Sequence, residues 1–359
     1  LQTTRSNLFD IVRLIAAFAV MFSHHYAFNG LAEPKVFEIT KLGTFSVIVF
    51  FSISGFLITK SYIKTKSPIV YIENRCKRIF PALIICSAIM TYIICPLFGN
   101  GDAVEYMTSK TAFATFVGYI TLNWVPIDIN GFASGYIHEN RLNGSLWSLG
   151  YEFTAYILVM IVIFTKRHLI IKSSMALFFC FSLAYFTQDN PMPGIIKEFV
   201  VNHISFHQSL VRGSLFLTPF AVGAFLACTQ KYWDTRKYKA LMVFLGALAI
   251  IILSKKNEND VIFYLSVPVI ILPICLSFSD CIIKGRFDIS YGIYIYAYPI
   301  QQIVVNELNF NFWWSLIASM LITTMLASFS WVYVERYFLK SRSAMFPKGG
   351  EYATEITPK

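Results

Sequence analysis

The chain has 359 residues, 56% of them hydrophobic and 17% aromatic, with only 14% charged and a formal net charge of +10. A soluble domain carries about 25% charged residues, so this composition excludes an ordinary water-soluble globule and points to a polytopic membrane protein. The basic balance does not imply nucleic acid: the cations are strung between apolar stretches, where they set topology and meet anionic membrane lipid.

About 17 to 25 mostly apolar residues are needed to cross a bilayer. In chain order, ten such stretches are expected at 8–28, 42–62, 80–98, 147–165, 169–186, 210–228, 239–254, 261–278, 289–305 and 312–338. The predicted fold class is all-α, a polytopic membrane protein with about ten transmembrane helices. Residues 1–342 form one transmembrane domain and 343–359 a short cytoplasmic tail. The first stretch has a long apolar region and no clear small-x-small cleavage site, so a retained helix is expected rather than a signal peptide. Segment 111–124, "TAFATFVGYITLNW", is apolar but short, which fits a re-entrant or interfacial helix.

With the N-terminus inside and ten alternating spans, most of the 30 lysines and arginines fall on the inner side, and both termini are cytoplasmic. Trp124, Trp147, Trp313 and Trp314 then fall near the outer boundary, and Trp233 and Trp331 toward the inner one, as in an interfacial belt. The seven cysteines show no metal-ligand spacing and read as reduced packing residues. No metal site is expected.

Within the first span, Arg13 and His24 are eleven residues apart, three helical turns plus about 20°, so they share a face roughly 16 Å apart. His25 points about 100° away. Ionisable groups inside a membrane face a protein interior or cavity and are functional candidates; the bland alternative is snorkelling to the headgroups. In "SPIVYIENRCKRIFP", Arg75 and Arg78 are three apart and would share a face at the cytoplasmic surface. Paired guanidiniums suit phosphate, although a basic inner loop also needs such charges for topology alone. In "GSLWSLGYEF", Glu152 lies about five residues inside the outer boundary, at a depth similar to that of His24. There it could orient the histidine as in a general-base dyad, or pair with Arg212.

Taken together, these stretches resemble the acyltransferase 3 family of bacterial integral membrane O-acyltransferases, whose members modify cell-envelope sugars. The resemblance covers about residues 7 to 340. "RLIAAFAVMFSH" looks like the first-helix arginine–histidine motif, "VIVFFSISGFLI" the Ser-Gly-Phe pattern, and "RCKRIFP" the Arg-Ile-x-Pro motif. "SLWSLGYEF" resembles the Trp-Ser-Leu-x-x-Glu pattern, and "WVYVERYF" the ending of the last span. In "ISYGIYIYAYPI", Ala297 stands where the family often has histidine, and Tyr337 stands where proline is common. The resemblance implies that His24 is catalytic and that Arg13, Arg75 and Arg78 belong to the acyl-donor side.

The expected activity is that of a multipass O-acetyltransferase of the bacterial cytoplasmic membrane. Acetyl-CoA or another acyl-CoA would be the donor substrate, with no bound cofactor. The acceptor would be a hydroxyl of a surface polysaccharide or a lipid-linked glycan. His24 would act as general base or transient acyl carrier. One rival is a transporter using Arg13, His24 and Glu152 as a proton or solute pathway. The other is a hydrolase using Ser54 and His24.

Overall fold

The computed structural model describes residues 7–65, 67–123, 125–189, 204–254, 260–283 and 287–339, with side chains described except in 185–189 and 204–212. The proposed tail at 343–359, the belt residue Trp124 and the Arg212 side chain lie outside what is described.

The described chain is all-α apart from one two-stranded hairpin. Helix α1 (Phe9–Phe28) leads to the hairpin β1 (Lys35–Val36) and β2 (Thr40–Lys41), then α2 (Leu42–Lys64) and α3 (Pro68–Phe98). Two short helices follow, α4 (Ala103–Thr108) and α5 (Lys110–Ile120), capped by the side chains of Asp102 and Ser109. The remainder are α6 (Trp147–Val162), α7 (Leu169–Asp189), α8 (Ile204–Trp233) and α9 (Arg236–Leu253). They continue with α10 (Val261–Ser277), α11 (Ser290–Glu307) and α12 (Phe312–Leu339).

Each of the ten predicted spans coincides with a helix, and among the described residues five helices are long and apolar enough to cross a membrane unaided. The outward faces of α9 and α12 carry bare hydrocarbon: Phe244 and Ile251 on α9, and Trp313, Leu321, Met325 and Phe329 on α12, are all exposed. In water such a surface would aggregate; against lipid it is solvated. Trp313 and Trp314 are exposed at the start of α12, whereas the other described tryptophans face the protein. Trp147 packs its ring 5.0 Å from Phe216, and Trp233 and Trp331 are buried. These three fill the protein interior.

Helix α2 is the hub, packing against α1, α8, α10 and α6. Its small residues decide how closely α8 can approach. A Cβ on Gly55 would stand 2.1 Å from the Phe220 carbonyl oxygen, and one on Gly223 would stand 2.4 Å from that of Ser52. The two backbones therefore touch where both chains lack a side chain, as the small residues of "SISG" imply.

Two helices differ from expectation in a way that moves the site. Helix α3 begins at Pro68, with proline in its first turn, twelve residues before the expected start of the third span. Arg75 and Arg78 therefore belong to a helix rather than to a surface loop, with Arg78 roughly 15 Å beyond its start. Helix α6 begins deep rather than at the outer boundary. The chain before it is drawn inward: Leu142, Asn143, Ser145 and Leu146 are buried, and Asn143 Nδ2 donates to the Ile295 carbonyl at 2.8 Å. Gly144 lies against the Tyr298 ring, where a Cβ would stand 2.6 Å away.

Replacing Gly55 by leucine should force α2 and α8 apart, because the obstructing atoms are backbone. We expect a loss on the order of 1–3 kcal/mol or more, read as a lower thermal midpoint in detergent; an unchanged midpoint would contradict the close contact.

Candidate active site

Two polar clusters lie one above the other between α1, α2 and α11. The inner one is organised by a carboxylate. Asp288, just before α11, accepts from Arg78 Nη2 of α3 at 2.5 Å and from Arg13 Nη1 of α1 at 3.3 Å. Its other oxygen accepts from Ser290 Oγ at 2.6 Å. Burial would raise the Asp288 carboxyl, but the charges of Arg78 and Arg13 and the bonds from Ser290 and Arg78 hold it well below the usual carboxylate range. It stays ionised.

Beside this bridge is a small cavity of about 50 Å³ lined by Arg13, Arg78, Ser54, Glu152, Tyr156 and Ser148, among others. Glu152 accepts from Ser54 Oγ at 2.7 Å and from Tyr156 Oη at 2.5 Å. Arg75 lies under the same wall, its guanidinium 5.9 Å from the Tyr71 ring and its charge acting on Tyr156. Arg75 and Arg78 thus share a face of α3, as their spacing predicts. Glu335 of α12 closes the cluster: it is buried, accepts from Ser330 Oγ at 3.3 Å, and its charge acts on Arg78.

The outer cluster surrounds His24. Its ring meets Tyr298 edge-on at 5.5 Å and Phe28 at 6.2 Å, and Phe28 in turn meets His138 at 5.3 Å. His24 is half-buried, and its Nδ1 is enclosed with no hydrogen-bond partner among the described residues. The charged and titratable groups acting on it are Glu33, His138 and Lys41. The pKa of His138, in the loop before α6, is lowered by burial and by the charge of Arg141. His25 has a different task. It is fully buried, with Nε2 donating to the Phe312 carbonyl at 2.9 Å and Nδ1 accepting from Gln301 at 3.4 Å. It ties α1 to α11 and α12.

The predicted dyad of Glu152 with His24 is not what the structure forms. Gly43 of α2 packs against Ser23, beside His24, whereas Glu152 binds Ser54, eleven residues farther along α2. That is about 16 Å of helix. The inward-drawn loop before Trp147 lowers α6, so Glu152 sits at the level of Arg13. Arg13, Arg78 and Glu152 are brought together, with Arg75 alongside, and His24 stands apart at the other end of the shared face.

Sequence reasoning missed Asp288, Glu335 and Glu33. Asp288 stands directly before the motif "ISYGIYIYAYPI", and Glu335 lies inside "WVYVERYF". A sequence signal was available: a chain with 30 basic and 20 acidic residues must find counter-ions for any guanidinium it buries.

With this geometry in view, the comparisons with known proteins converge. Residues 7–333 match the acyltransferase 3 family, described as an acyltransferase domain. The chain belongs to the acyltransferase 3 family. An O-acetyl transferase of Shigella phage Sf6 is 36% identical over 340 residues, covering 94% of this chain and 98% of the relative. Nodulation protein 10 of Rhizobium leguminosarum bv. viciae is 25% identical over 366 residues, covering 94% and 95%. No solved structure matches. In this acyltransferase Arg13 and His24 stand toward opposite ends of one face of α1.

Replacing Asp288 by asparagine strands two guanidiniums, which should cost about 3–5 kcal/mol, the range for breaking a buried pair. Adding Arg78→Met should recover part of that loss, since one of the two stranded charges is then removed. Thermal unfolding of Asp288→Asn, Arg78→Met and the double variant in detergent measures this coupling; strictly additive losses would contradict the bridge. The contribution of Asp288 is present above the ordinary carboxylate range and is lost as pH falls through its lowered folded-state value. Wild type should therefore lose stability in acid more steeply than Asp288→Asn.

Proposed function

We propose that this chain is an O-acetyltransferase of the bacterial cytoplasmic membrane. It crosses the bilayer about ten times with both termini cytoplasmic. It takes acetyl groups from cytoplasmic acetyl-CoA and places them on a hydroxyl of a surface polysaccharide or its lipid-linked precursor. Family membership and the phage O-acetyl transferase at 36% identity support the reaction class. One observation carries the mechanism: guanidiniums at one end of a helix face, and a histidine with an unpartnered nitrogen about 16 Å away at the other.

The donor end follows from charge. Arg13, Arg75 and Arg78 offer forked donors suited to phosphate oxygens. The cavity lining climbs α2 from Ser54 to Val47, about 10 Å toward the level of His24. A long pantetheine arm would follow this wall, delivering the thioester upward. At the outer end His24 takes the proton of the acceptor hydroxyl, whose oxygen attacks the thioester carbonyl. The thiolate leaves and recovers that proton from His24, giving ester and free thiol.

The rivals predict other arrangements. A hydrolase using Ser54 and His24 would need them in contact, whereas Ser54 Oγ donates to Glu152 at the far end of the face. A transporter would move solute without consuming any donor.

Purified protein incubated with labelled acetyl-CoA and a glycan acceptor should release free thiol and label the acceptor. His24→Ala should abolish transfer while folding normally. His25→Ala should lower stability, because it breaks the link to Phe312 and Gln301, yet leave activity in the folded fraction. Loss of activity on His25→Ala alone, with His24→Ala active, would overturn the assignment.

A further inference from the structure

The family motifs leave the His24 end of the site without a carboxylate once Glu152 is found at the donor end. The structure supplies another. Glu33 lies between α1 and the hairpin, held from two sides: Ser23 Oγ donates to Oε2 at 2.7 Å, and Lys41 Nζ pairs with Oε1 at 2.9 Å. Ser23 is the immediate neighbour of His24 on α1, so one hydrogen bond fixes the carboxylate to the helix that carries the histidine.

The hairpin exists to bring Lys41 back to this point. Lys35 and Val36 pair with Lys41 and Thr40, and the turn between them places Phe37 and Glu38 in the left-handed region at φ 54° and 56°. Residues other than glycine adopt that region at a cost, which the closure of the hairpin must offset. Helix α2 starts at once and has to pass close. Gly43 makes room, since a Cβ there would lie 3.2 Å from Ser23 Oγ and 3.9 Å from Glu33 Oε2. Three separate features, a strained turn, a glycine contact and an ion pair, converge on one carboxylate.

We propose that Glu33 is the positioning carboxylate of the acceptor end: it sets the charge that His24 feels and stabilises the imidazolium formed while the acceptor hydroxyl attacks, with Lys41 as its counterweight. The inference rests on the proposed acetyl transfer and deepens it. Glu33 forms no bond with the reacting atoms; it acts on His24 through the field in a site partly screened from water. The groups facing His24 from the surrounding elements are Glu33 and Lys41 at the hairpin, His138 in the loop before α6, and Tyr298 of α11, which is hydrogen-bonded to Arg141. Among these, Glu33 and Lys41 have opposite signs and are bound to each other, so removing either should move the chemistry in opposite directions.

The test is the pH dependence of kcat for acetyl transfer in the full-length protein in detergent, at saturating donor. Glu33→Gln should lower kcat roughly tenfold, a loss equivalent to about one unit in proton affinity. It should also move the acid limb of the profile to lower pH by roughly half a unit or more, with the donor KM unchanged. Lys41→Met should move the same limb to higher pH. Glu33→Asp should restore part of the rate. Equal losses in both variants with an unmoved limb would mean that the pair merely holds the hairpin, and would overturn the inference. An unchanged kcat and limb in Glu33→Gln would do the same. If wild type transfers no label, or transfer survives His24→Ala, the acetyl-transfer reading itself fails; if wild type is active and needs His24, an unmoved limb condemns the role of Glu33 alone.

Discussion

The Asp288 carboxylate joins three helices that are distant in sequence. It draws Arg13 of α1 and Arg78 of α3 to the start of α11, and Ser290 fixes its own orientation. Two guanidiniums buried in a membrane protein would be prohibitive without it, since an ion stripped of water needs a compensating partner. The bridge sits about midway along α2, at the level of Ser54. It therefore sets the floor of the cavity, and the position of everything above it follows: Glu152 at its wall, Val47 and Phe50 farther up, and His24 beyond.

The two guanidiniums are held unequally by the bridge. Arg13 presents a single contact of 3.3 Å to Asp288, while Arg78 holds it at 2.5 Å. Arg13 is thus the looser partner of the carboxylate. Glu335 is buried near Arg78, on which its charge acts. The lower end is an ionic network with room for another anion. The upper end is largely aromatic, with Phe28, Tyr298 and His138 around His24 and a single ion pair at its edge.

Much of the fold was legible because its signal is simple. Apolar runs of sufficient length mark helices, and ten such runs coincide with helices here. The shared face of Arg13 and His24 follows from helical geometry alone. What escaped has specific causes. The start of α3 is polar, and "SPIVYIENRCKR" carries too many charges for a hydropathy window, although Pro68 and the spacing of Arg75 and Arg78 are helical. The depth of Glu152 depends on a loop drawn inward by Asn143 and by the fit of Gly144 against Tyr298, contacts with no periodic signature. Asp288 and Glu33 lie in connecting segments, where a residue's partners are set by tertiary folding.

The central claim is that donor and acceptor meet from opposite sides of the membrane through one protein. It is tested most directly in sealed vesicles of defined orientation containing the protein and a glycan acceptor, supplied with labelled acetyl-CoA, which does not cross lipid. When the donor is added to the face bearing the start of α3 and the acceptor is confined to the other, the acceptor should become labelled, and His24→Ala should prevent it. Labelling only when donor and acceptor share one compartment would contradict the account.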